Sequence, residues 1–287
     1  MTNLVLLLVC LAAGAALRHW QVVPPGAHAV LNQVLLAVLL PALTFLHLAE
    51  AQFDQRFLLP MLMPWLIFGA GWAFFAAVGK WLALPRGTVG ALILTGGISS
   101  VSFVGFPIFE LLYGKAGLEM GLVMSLAGSI LICVTLGVVV GSWYGAARPS
   151  WRAMGANVLR FPPFLAFVLA VGANALGYRH PALVRGVLEK LSAPFPVIAL
   201  LSVGLQLQLV VPKSRARLLS IGLAYKLLLG QAAVDLCIVG AAIGPMNTAG
   251  TIADRYGLDP PLAAQMVGLG IPLSLPLLAL LGWWLTR

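Results

Sequence analysis

The sequence predicts an all-α membrane protein of ten transmembrane helices, arranged as two inverted five-helix repeats. Three observations lead there. Of the 287 residues, 61% are apolar or aromatic and only 9% are charged. Ten long apolar runs alternate with short polar or Pro/Gly-rich breaks. Features of the first half also return, faintly, in the second. No soluble globule has such a composition. A bilayer core takes roughly 20 apolar residues per helix, which leaves room for about ten spans in one transmembrane domain over residues 1–287.

The runs fall at about 2–17, 29–49, 57–79, 88–113, 118–143, 161–178, 191–211, 217–234, 236–256 and 261–286. The first contains Leu4 to Ala16, which ends in small residues like a signal peptide but lacks a basic n-region. The Val9-Cys10 step also puts a branched residue where a lipoprotein cleavage site needs a small one, so a first helix is expected. Breaks at Arg18 to Gly26, Glu50 to Arg56 and Lys80 to Gly87 delimit the second and third spans. In the second half, Arg148 to Arg160, Arg179 to Lys190 and Pro212 to Arg217 delimit the sixth and seventh. No linker is long enough for a further domain. The eighth and ninth spans share only about 39 residues, Leu218 to Tyr256. An even split puts a surface turn near Asp235 and leaves Lys226 ~13 Å deep, close to the midplane. A single long helix containing Asp235 is the alternative.

The net charge of +9 does not point to nucleic acid, because the basic residues come in twos and threes between apolar runs without interleaved aromatics. They read as topology signals. Ten Lys and Arg fall in the odd-numbered connections and six on the opposite side, so the odd connections are expected in the cytoplasm and both termini outside. Cys10, Cys133 and Cys237 stand singly, without CxxC spacing or a nearby His, and read as packing residues. The four histidines, His19, His28, His47 and His180, lie near helix ends, and no nucleophile–base pair lies at membrane depth. Neither an enzyme nor a cofactor is expected.

Two weak echoes suggest the repeat. Tyr113-Gly114 and Tyr256-Gly257 each end a Gly-rich run, and Val38 to Leu43 resembles Pro194 to Leu200. Repeat one covers about 1–145 and repeat two about 158–287. Since five is odd, the two units insert with opposite orientation, a construction that puts transporter sites at the repeat interface near the midplane.

Two segments stand out from the Leu/Val/Ala background. One is Thr95-Gly-Gly-Ile-Ser-Ser-Val-Ser102, followed by Gly105 and Pro107, in the fourth span; the other is Gly244-Pro-Met-Asn-Thr-Ala-Gly-Thr251 in the ninth. A helix interrupted in lipid leaves backbone groups unsatisfied at several kcal/mol each, so such breaks must face protein or a water-filled cavity. Gly105, Pro107, Gly244 and Pro245 are the expected break residues. An opened helix offers free N–H groups and a positive dipole end to an anion. Ser99, Ser100, Ser102, Asn247 and Thr248 would replace a solute's hydration. Tight helix packing by small residues and Pro kinks is the competing explanation.

These residues carry a resemblance. Phe103-Val-Gly-Phe-Pro-Ile-Phe-Glu-Leu-Leu-Tyr-Gly114 resembles the fourth-helix motif of the auxin efflux carrier family, of the bile acid/auxin transporter superfamily. Leu31-Asn32 through Leu40-Pro41-Ala-Leu43 is similar to its second helix, Pro196 to Leu205 to its seventh, and Ala253 to Asp259 with Leu262-Ala-Ala to its ninth-to-tenth junction. The resemblance implies two inverted five-helix repeats whose broken helices 4 and 9 cross at a substrate site. It also implies transport of small organic anions, such as auxins in plants and dicarboxylates in bacteria. The short connection between helices five and six is similar to the bacterial branch, which implies the inner (plasma) membrane. Ser100 stands where the family commonly has Asn, and Asn247 is displaced by about one position, which bears on the substrate more than on the fold.

Lys226 is expected either to face a cavity and attract an anionic substrate or to snorkel to the cytoplasmic surface. Asp235, nine residues on, lies about half a turn away on a continuous helix and cannot pair with it simply. If buried, Asp235 is the coupling candidate, with Gln231 on its face. Asn32 faces either the crossing or a neighbouring helix. The expected function is alternating-access transport of a small organic anion. A sodium- or proton-coupled symporter of bile-acid-transporter type and a solute-binding sensor or channel are the rivals. The expected partners are that anion, the lipid bilayer and, as a candidate, a second copy in a homodimer; nucleic acid is not among them.

Overall fold

With no water in a bilayer core, backbone N–H and C=O groups must pair within the chain, which favours helix wherever the sequence is continuously apolar. The computed structural model describes residues 2–24, 26–145, 155, 158–207, 215–228 and 243–285. Among these the chain is nearly all helical and forms no strand, only one isolated antiparallel bridge. The helices are α1 (Thr2–His19), α2 (Ala27–Leu48), α3 (Leu58–Trp81), α4 (Arg86–Gly97), α5 (101–113), α6 (115–144), α7 (Pro162–Ala175), α8 (Ala182–Gln206), α9 (Ala216–Leu228), α10 (Asn247–Arg255) and α11 (Pro260–Leu285). Four described stretches are long and apolar enough to cross a membrane: Ala27–Leu48, Gln55–Trp81, Leu112–Tyr144 and Ala182–Gln206.

Several boundaries have clear local causes. Gly114, with φ +62° and ψ −151°, separates α5 from α6 in a conformation that side chains with a Cβ rarely adopt. Wide π-type turns lie in α2 at Leu35–Leu39, at the start of α5 at Val101–Gly105, and in α6 at Met124–Ile130. In the last of these the Ala127 carbonyl accepts a hydrogen bond from Trp65 Nε1 at 3.1 Å, which ties α6 to α3.

Two expectations need correction. The polar stretch Arg179 to Lys190 reads as a loop, yet α8 begins at Ala182. Leu183, Val187 and Leu191 recur every four residues on an exposed face, so the segment keeps a helical apolar stripe despite its charged residues, with Arg185 turned to Glu50. The fourth span is interrupted at Ile98–Ser100 rather than at Gly105 and Pro107, which lie on the helix that follows. The wide turn Val101–Gly105 directly precedes Pro107 and accommodates its missing N–H without ending the helix.

Two groups of helices emerge from the packing. α1, α2, α7 and α8 form one, with α1 against α8 and α2 against both α7 and α8. A Cβ on Gly14 would lie 2.4 Å from the Leu201 carbonyl oxygen and 2.9 Å from the Gly204 Cα, so α1 and α8 cross backbone to backbone. The second group is α3, α4, α6, α9, α10 and α11. α5 lies between them, with Phe106 against Phe195 of α8 at 5.8 Å between ring centroids.

Hydrogen bonds fix the two ends of the molecule. At one, Glu50 accepts from His180 N at 2.7 Å and pairs with Arg185, while Asn174 Nδ2 donates to the Ala49 and Ala51 carbonyls at 3.1 and 2.7 Å. The His180 N–H and the Arg185 guanidinium hold the Glu50 carboxyl below its ordinary pKa, against the opposing effect of burial. At the other, Asp259 pairs with Arg215 at 2.5 Å and accepts from Thr88 Oγ1 at 3.0 Å, joining the starts of α4, α9 and α11.

Candidate functional site: two paired helix breaks

Gly96 and Gly97 each lower helix stability by about 1 kcal/mol relative to Ala, and the serines that follow compete for backbone hydrogen bonds. α4 accordingly ends at Gly97 and the chain runs extended through Ile98. A second extended segment, Ile243 to Met246, precedes α10. The two segments satisfy one another: Ser100 N donates to the Gly244 carbonyl at 2.9 Å, and Met246 N donates to the Ile98 carbonyl at 3.1 Å. Ser99 and Pro245 are the bridged pair. Each break thus finds the partner that lipid could not supply.

α5 and α10 begin at this bridge, and neither first turn has a side-chain cap. Their leading N–H groups are therefore available to an anion, with two positive helix ends at one locus. The Ser100 hydroxyl is buried there without a hydrogen-bond partner among the described residues. A buried hydroxyl left alone costs about 1–3 kcal/mol, a cost that a bound solute would remove.

Lys226 reaches the same place from α9. Its Nζ donates to Ser99 Oγ at 2.5 Å, with the residue only 1% exposed. The neighbouring Tyr225 sets this aim, because its hydroxyl donates to the Ile67 carbonyl at 2.8 Å and its ring stacks on Phe74 at 5.0 Å. Lys226 therefore does not snorkel to a surface. Among the described residues it forms no ion pair.

The other sequence-selected residues fall in different places. Ser102 shares a hydrogen bond of 2.6 Å with Ser125 of α6. Asn247 opens α10 and Thr248, half-buried, follows it. Gly244 and Pro245 lie in the second extended segment. Asn32 accepts from Ser202 Oγ at 2.6 Å and so joins α2 to α8. Asp235 lies outside the described residues.

Sequence reasoning missed two features. Ser125 and Ser129 sit one turn apart in α6, both buried, and their i,i+4 spacing in an apolar span was the available signal. Ser129 and Ser99 share a cavity of about 10 Å³ with Gly97, Ile98 and Val101, about the room one water needs. The second feature is a cleft of about 950 Å³ between the two helix groups. Arg18, His28 and Gln206 line it on one side, and Gly250, Asp254 and Ala264 on the other. Gly250 is on the first turn of α10, so the cleft reaches almost to the paired breaks. Arg18 also donates to the Leu205 and Leu207 carbonyls at 3.1 and 3.0 Å, a favourable place for a cation at the end of α8.

Residues 1–151 match the family described as membrane transport protein. The chain is also 23% identical over 187 residues to an uncharacterized transporter of the archaeon Methanocaldococcus jannaschii. That match covers 62% of this chain and 59% of the relative, so the chain spans less than two thirds of the relative's length.

Proposed function

This chain belongs to the membrane transport protein family, the auxin efflux carrier family, and from that premise we propose that it is a secondary carrier for a small organic anion. The observation that carries this reading is the meeting of two uncapped helix N-termini, those of α5 and α10, at paired breaks beside the buried, unpartnered Ser100 hydroxyl. Such a locus suits a carboxylate: several N–H donors, two positive helix ends, hydroxyls, and the Lys226 charge close by.

The transport cycle follows from the grouping of the helices. The cleft opens between them on the face carrying the odd-numbered connections, the cytoplasmic face by its basic residues. Rocking one group against the other closes this cleft and opens its counterpart on the opposite face, around a fixed site. The ten spans then form two inverted five-helix repeats, with α4 and α5 as the halves of the fourth. α10 is the second half of the ninth. The archaeal relative's name as a transporter and this chain's own match to a family of membrane transport proteins support the reading as a carrier.

Uptake of labelled mono- and dicarboxylates into liposomes containing the purified protein, with imposed pH or voltage gradients, tests the proposal. Saturable counterflow of one carboxylate is expected, lost in Ser100→Leu and Asn247→Leu although both variants remain folded. Undiminished flux in both variants would remove the paired breaks from the mechanism. Binding of a carboxylate without any flux would instead make the protein a sensor.

A further inference from the structure

Lys226 brings its amino group against a helix break lined by hydroxyl groups, at the carbonyl end of α4. This position calls for a cation. α4 ends at Gly97, so the negative end of its dipole lies at Ile98–Ser100. Ser99 Oγ and Ser129 line the small cavity beside that end. Hydroxyl and carbonyl oxygens without a soft ligand are the donor set that a hard metal cation prefers. The chain puts an ammonium there instead: Lys226 Nζ is 2.5 Å from Ser99 Oγ. Neither Lys226 nor Ser99 lines the cleft by which a solute would arrive.

We propose that the Lys226 ammonium is a resident cation for the break at the end of α4, occupying the place that a sodium ion would otherwise take, so that the crossing holds its shape without a metal ion. This rests on the reading of the paired breaks as the solute site and adds the role of its charge. Lys226 is then a positioning residue. It neutralises the carbonyl end of α4 and fixes Ser99, while the N-terminal ends of α5 and α10 remain for the anion. The charge travels with the protein, so no cation gradient is consumed in filling the site.

Thermal unfolding of the purified protein, compared in sodium chloride and choline chloride at equal ionic strength, tests the inference without any solute. Wild-type protein is expected to unfold at the same temperature in both salts. Lys226→Ala removes the ammonium and opens a space walled by the same oxygens; it should unfold at lower temperature in choline chloride. In sodium chloride it should recover by about 4 °C, the shift expected for a site filled at roughly ten times its Kd. Methylammonium chloride should restore it as well. Lys226→Gln, which keeps most of the volume, serves if the alanine variant does not fold, and Lys226→Arg should stay indifferent to sodium. A sodium response in wild-type protein equal to that of the variants overturns the inference, as does its absence from both Lys226→Ala and Lys226→Gln. Since flux is not measured, the outcome is independent of whether Ser100→Leu abolishes transport.

Discussion

Ser99 and Pro245 face one another across the antiparallel bridge that joins the two helix breaks, and both hydrogen bonds of the bridge pass on either side of the pair. A proline has no N–H to donate, so this non-hydrogen-bonded position is one that it can occupy without loss. The ring then rests against α11, where a Cβ on Gly270 would come within 2.3 Å of Pro245 Cδ.

Gly270→Ala should therefore destabilise the protein by about 1–3 kcal/mol, the usual cost of forcing a methyl group into packed space. Gly172→Ala, with nothing within 4 Å of its new Cβ, is the control and should be neutral or slightly stabilising. Thermal unfolding in detergent distinguishes the two, and equal effects would contradict the close packing at Pro245.

Ser102 and Ser125 should behave as a coupled pair. Each single alanine substitution leaves the other hydroxyl alone in a buried setting, whereas the double substitution removes both. A double-mutant cycle on stability should give a coupling of about 0.6 kcal/mol, the average measured for bonds between membrane helices, and no more than about 1.7 kcal/mol. Additive single effects would mean that the bond of 2.6 Å carries no energy.

The link between α2 and α8 at Glu50 should weaken in acid. Its folded pKa lies below the ordinary 4.5, so the stabilisation is complete above that value and is lost as pH falls through the lower folded one. The unfolding temperature of wild-type protein should fall on acidification below about pH 4.5 more steeply than that of Glu50→Gln, which should already be less stable at neutral pH. Parallel pH profiles would show that the Arg185 and His180 contacts do not favour the charged carboxyl.

Ala264→Cys, in protein with Cys10, Cys133 and Cys237 replaced by Ala, should react with a membrane-impermeant maleimide added from the cytoplasmic side. Ala264 is exposed on the wall of the cleft, whereas Ala91→Cys, at a fully buried position, should resist. Labelling from the opposite side alone would reverse the orientation drawn from the basic residues.

Helix existence was legible in the sequence because the bilayer leaves an apolar run little else to form, and most expected runs coincide with described helices to within a few residues. The start of α8 is hidden by its polarity, although Leu183, Val187 and Leu191 keep helical spacing. The break at Ile98–Ser100 lies five or more residues before the one that Gly105 and Pro107 suggest. Pro107 is the stronger breaker by propensity, but the wide turn before it absorbs the defect, while Gly96, Gly97, Ser99 and Ser100 together end the helix sooner. Contacts between distant segments were the least legible. The bond from Lys226 to Ser99 spans 127 residues and depends on Tyr225 docking on α3, for which no local pattern gives a signal.

The joint between the breaks is made wholly of main-chain atoms. Its strength is thus indifferent to which side chains stand at positions 100, 247 and 248. On the proposed reading of the breaks as the solute site, a lineage built on this frame would be free to exchange those three residues, and with them its cargo, while the scaffold around them stays as it is.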